Sequence, residues 1–83
     1  MRKRKVEASA EGAAIHFFLS MLDPVNRGEK FTWEAFPDLV GGLSRTALRT
    51  NLDNPTEKEL VYARKRATYH AERLCQEYRS LLR

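Results

Sequence analysis

The chain has 83 residues and a formal net charge of +4, from fifteen Lys and Arg against eleven Asp and Glu. That length holds one domain at most. Apolar residues make up 42% of it, which excludes full disorder but leaves so small a core that oligomerisation or a bound partner is expected to add stability.

Residues 1–8 read as a flexible basic arm carrying Arg2, Lys3, Arg4 and Lys5, and residues 9–83 as a single helical domain. Glu7 and Glu11 follow the basic run, a pattern that argues against a secretory signal. A first helix is expected over about Ala10–Leu22, with Ser9 as N-cap and Glu11 in the first turn. Ile15, Phe18, Leu19 and Leu22 share one face, and Ala14, Phe17 and Met21 widen it until only His16 and Ser20 leave a polar strip. Such a helix is central to the core, or half core and half interface. Its uncharged stretch, Gly12–Leu22, is too short to span a membrane.

Asp23-Pro24 ends the first helix, and a loop runs to Gly28. Thr32 is expected to cap a short second helix, with Phe31 and Phe36 as its hydrophobic staple and a kink or restart at Pro37. Gly41-Gly42 is expected to stop that helix, and a third short one to run from Ser44 to Leu52. Asn54-Pro55-Thr56-Glu57 then signals the start of a long helix over about 55–82, with Asn54 as its cap. Leu60, Ala67, Leu74 and Leu81 recur every seven residues along it. The expected fold is all-α: three short N-terminal helices plus one long C-terminal helix.

The charge is unevenly spread. Residues 1–5 hold four bases, residues 6–43 two bases and six acids, and residues 44–83 nine bases and five acids. This asymmetry suits an anionic partner for the arm and the second half. Gly42-Leu43-Ser44-Arg45-Thr46-Ala47-Leu48-Arg49 resembles the second half of a helix-turn-helix motif, with Leu43 and Leu48 at its buried positions and Ser44 at its cap. Pro37, Asp38 and the doubled glycine depart from that pattern. The resemblance implies that Arg45, Thr46, Arg49 and Asn51 face outward, where Arg grips guanine or phosphate and Asn reads adenine.

On the long helix, Tyr62, Lys65, Arg66, Tyr69 and Arg73 share a face. Interleaved aromatics and bases can stack on nucleotides, make a protein interface, or simply be solvated. The leading expectation is therefore a small DNA-binding protein, a transcriptional regulator acting as a homodimer. Its nucleic-acid contacts would be Arg2, Lys3, Arg4, Lys5, Arg45, Thr46, Arg49, Asn51, Lys65, Arg66 and Arg73. The alternative is a helical interaction module, an adaptor or small protein inhibitor of a larger enzyme, using Phe17, Trp33, Tyr62 and Tyr69. Leu74, Tyr78, Leu81 and Leu82 are expected to lie exposed at the overhanging end of the long helix, as a dimer seam.

Catalysis finds no support: no nucleophile–base pair and no Gly-rich phosphate loop is present, and His16 and His70 lack zinc-ligand spacing. No cofactor or metal is expected. The lone Cys75 points to no oxidising compartment, so a cytoplasmic or nuclear protein without a membrane partner is the expectation.

Overall fold

A computed structural model describes residues 1–82. Among them there is no strand. The chain forms three α-helices, α1 (Lys3–Met21), α2 (Phe36–Asn51) and α3 (Glu57–Glu77), with 3-10 turns at Pro24–Asn26 and Arg79–Leu81. The all-α expectation holds, but the arrangement is three helices of similar length rather than three short ones and a long one. Helices α1 and α3 run parallel, since Arg2 meets Glu59 at one end and Phe18 meets Tyr78 at the other. Helix α2 runs back between them in sequence, with Asn51 bonded to Ser9 and Phe36 against Phe18. The result is an up–down–up bundle 39 Å long.

The expected flexible arm is the first part of α1. Lys-Arg-Lys-Val-Glu-Ala contains good helix formers, and Val6 is fully buried against Leu48, Leu52, Leu60 and Ala63. Ser9, expected as a cap, is buried and accepts a hydrogen bond from Asn51 Nδ2 at 2.9 Å. At the other end of α1, Arg27 Nε and NH2 donate to the free carbonyls of Met21 and Leu22, placing a cation on the negative end of the helix.

The expected break at Gly41-Gly42 is also absent. Pro37 stands at the start of α2, where its missing N–H would have had no intrahelical partner. From there Phe36, Val40, Ser44 and Leu48 repeat every four residues and are all buried, which holds one continuous helix across both glycines. Thr32 still caps a turn, accepting from the Ala35 N–H, and Phe31 still packs on Phe36 with ring centroids 6.4 Å apart. At Gly41 α3 lies close: an added Cβ would be 2.5 Å from Thr68 Oγ1. Gly42 faces open space. Gly42→Ala is therefore expected to stabilise by about 0.5–1 kcal/mol through helix propensity. Gly41→Ala is expected to destabilise by about 1–2 kcal/mol, the overpacking outweighing the same propensity gain. Urea melts of the two variants check the opposite signs.

Helix α3 starts two residues later than expected. Thr56 is its N-cap, within a reciprocal box: Glu59 N–H donates to Thr56 Oγ1 at 3.1 Å and Thr56 N–H to Glu59 Oε1 at 2.9 Å. Asn54 instead takes the left-handed conformation, φ 46°, in the loop before it. The core is a row of alanines, Ala10 and Ala14 of α1 facing Ala67 and Ala71 of α3, with Phe18, Phe36 and Val40 filling the space beside them. Small side chains let the helices approach closely, so little interior volume is left to fill.

Candidate interaction surface

The sequence-predicted site residues divide into those bound by the chain itself and those left free. Arg2 belongs to the first group. Its backbone N–H and Nε donate to Glu59 Oε2 at 3.1 Å, its NH2 to Glu59 Oε1 at 2.9 Å and its NH1 to the Asp53 carbonyl at 3.1 Å. Glu59, almost wholly buried, thus caps two helices at once: its own, through the Thr56 box, and α1, through the Arg2 amide. The Arg2 guanidinium, reinforced by the amides of Thr56 and Arg2, holds the Glu59 carboxyl far below the usual carboxylate range.

A second network joins α1 to α3. Arg66 Nε donates to both oxygens of Glu7, at 2.9 and 3.1 Å, and His70 Nε2 lies 2.9 Å from Glu7 Oε1 and 3.8 Å from Glu11. Arg66, and after it His70, hold the Glu7 carboxyl below its ordinary value. Arg66 also stacks over Tyr69, 4.5 Å from the ring centroid. One turn on, Arg73 donates to Tyr69 Oη at 3.3 Å and to Glu77 at 3.0 Å. Of the expected face of Tyr62, Lys65, Arg66, Tyr69 and Arg73, the two arginines meet Tyr69, and acids of the same chain pair with both of them.

The helix-turn-helix element is not formed, because the residues of its turn lie inside α2. Ser44, the expected cap, is buried and donates to the Gly41 carbonyl at 2.6 Å. Arg45 is 3.9 Å from Glu57, Asn51 is committed to Ser9, and Thr46 and Arg49 are on the solvent side. Lys3 approaches Tyr62, 5.8 Å from the ring, and Arg4, Lys5 and Lys65 are exposed.

The residues expected at a protein interface or a dimer seam also divide. Phe17, Trp33, Leu74 and Leu82 pack against the core, Trp33 among Phe18, Phe31 and Phe36 with Arg27 5.4 Å above its ring. Leu60 and Ala67 are buried within the chain's own bundle. The reason is that α1 starts at Lys3 and α3 ends at Glu77, so α3 does not overhang its neighbours as expected. Tyr78 and Leu81 remain exposed, as do Val61 (46%) and Tyr69 (42%) on α3 and Ile15 (42%) and Leu19 (61%) on α1. Spacing on the first helix placed Ile15 and Leu19 on one face with Phe18, which is buried; which side of so apolar a helix meets the core was not readable from the pattern.

Cys75 is half-buried, and burial pushes its thiol up. Among the described residues no helix is long and apolar enough to cross a membrane. Comparison of the chain with protein-family models, with curated proteins and with solved structures returns no match.

Proposed function

We propose that this chain is a helical protein-interaction module whose α3 face receives a segment of a larger protein. One observation carries the reading: α3 leaves Val61 and Tyr69 in solvent while Arg66 and Arg73, the arginines beside Tyr69, are bound by Glu7 and Glu77. Val61 and Tyr62 form an apolar depression with Met1, rimmed by Lys58 and Lys65 and by one acid, Glu57. That composition suits an apolar anchor flanked by acidic residues, with an aromatic hot spot at its centre. The experiment is cross-linking capture with wild type and with a Val61→Glu, Tyr69→Ala variant. Both positions are exposed, so the fold should survive. Capture of a specific protein is expected to fall about tenfold or more in the variant, since two such contacts contribute well over 1.4 kcal/mol. Equal capture by both proteins overturns the reading.

Nucleic-acid binding is the second reading, and a different observation favours it. Lys3, Arg4, Lys5, Arg49 and Lys58 make no ion pair among the described residues, and they lie towards the end of the bundle where α1 and α3 begin and α2 finishes. Parallel α1 and α3 add their positive helix ends to the same pole. Binding of generic duplex DNA that weakens steeply with salt, and less steeply without residues 3–5, would support this reading over the first.

A further inference from the structure

We infer that two copies of this chain pair antiparallel along α1, on a surface that borders the α3 face proposed above at Tyr62 but includes neither Val61 nor Tyr69. Arg4, Ala8, Gly12, Ile15 and Leu19 follow one another at helical spacing, and all five are exposed. The stripe is small in its first half and large in its second. Nothing lies within 4 Å of where a Cβ on Gly12 would be, so the small half is open to an incoming side chain.

The halves fit each other only in one direction. Gly12 is the middle residue of Lys3–Met21. A two-fold axis there sets Ile15 of one copy between Ala8 and Gly12 of the other, and Leu19 between Arg4 and Ala8. Large side chains then fill the gaps left by small ones on both sides of the axis, as a self-complementary two-fold interface requires. A parallel pair would set Leu19 against Leu19 and leave a void at Ala8.

Charge selects the same direction. Residues 1–5 carry four bases, whereas residues 22–38, at the opposite end of α1, carry four acids against two bases. The antiparallel pair brings Arg4 and Lys5 of one copy within side-chain reach of Asp23 of the other. A parallel pair would place two basic ends side by side, where like charges repel.

Sedimentation equilibrium at micromolar concentration, with oxidative cross-linking in a Cys75→Ser background, tests the inference. Wild type is expected to sediment as a dimer. Gly12→Leu, which adds a helix former in open space, and Leu19→Glu are each expected to raise the dimer dissociation constant at least about tenfold, with unchanged circular dichroism. Gly12→Cys should cross-link to itself. Leu19→Cys should not, because its two copies lie fourteen residues apart along the pair, about 21 Å at 1.5 Å per residue. A monomer overturns the inference, as does a dimer indifferent to both substitutions, and self-cross-linking of Leu19→Cys overturns the antiparallel direction. A monomer leaves the α3 reading standing, since Val61 and Tyr69 lie outside this seam.

Discussion

Glu59→Ala is expected to lower the melting temperature by about 10 °C or more, an unusually large effect for a charged residue near a helix end. Glu59 accepts hydrogen bonds from the Thr56 amide, the Arg2 amide and two guanidinium nitrogens of Arg2. Its removal leaves the first turns of α1 and α3 without their shared cap, and strands the Arg2 and Thr56 donors that Glu59 had gathered in a part-buried place. Arg2 and Glu59 are 57 residues apart, so the pair also fixes the relative position of the two parallel helices.

The same residue gives the stability its pH dependence. The folded Glu59 carboxyl sits far below its ordinary value of 4.5, so the unfolded chain takes up the proton first as pH falls. The contribution is therefore fully present above the unfolded value and is lost progressively as the medium is acidified below it. Glu7, also lowered, adds in the same direction. Thermal melts from pH 7 to pH 3 should show a falling acid limb in wild type and a flatter one in Glu59→Gln. Identical limbs would show that the carboxylate contributes nothing through its charge.

Phe36→Ala is the second large effect, expected to cost about 3–5 kcal/mol. Phe36 is wholly buried and touches Phe18, Phe31 and Trp33, with ring centroids 6.0, 6.4 and 5.3 Å away. The same core contains four alanines, which cannot reach across to fill the space, and a chain of 83 residues has a total stability of about 4–12 kcal/mol. Leu39→Ala, three residues on and half in solvent, should change stability by less than about 1 kcal/mol and serves as the control. Urea titration with unchanged slope and a shifted midpoint would confirm the difference.

Much of this architecture is legible in single residues. Alanine and leucine at helical spacing, with no alternating run, exclude a sheet. Thr56 and Glu59 carry the capping-box spacing, which competes in the sequence with the equally regular Asn54-Pro55 start signal. Lys3–Ala8 is a run of helix formers, and its basic charge does not prevent a helix whose Val6 has a core to enter.

Other features were decided only by the folded chain. Glycine's cost in a helix is about 1 kcal/mol, and whether two of them end α2 depends on what four buried side chains return by packing. That return comes from α1 and α3, which no window around Gly41 contains. The arginines illustrate the point most clearly. Arg2, Arg66 and Arg73 look alike in sequence, as solvent-facing cations suited to phosphate. Arg73 meets its acid one turn away, as the spacing to Glu77 predicts, but the acids that occupy Arg2 and Arg66 lie 57 and 59 residues distant and are brought there by the parallel packing of α1 on α3. The sequence alone determined an all-helical chain with a basic excess. Tertiary structure decided which of those bases are spent on the fold and which apolar residues are left outside it, because both depend on neighbours supplied by a different helix.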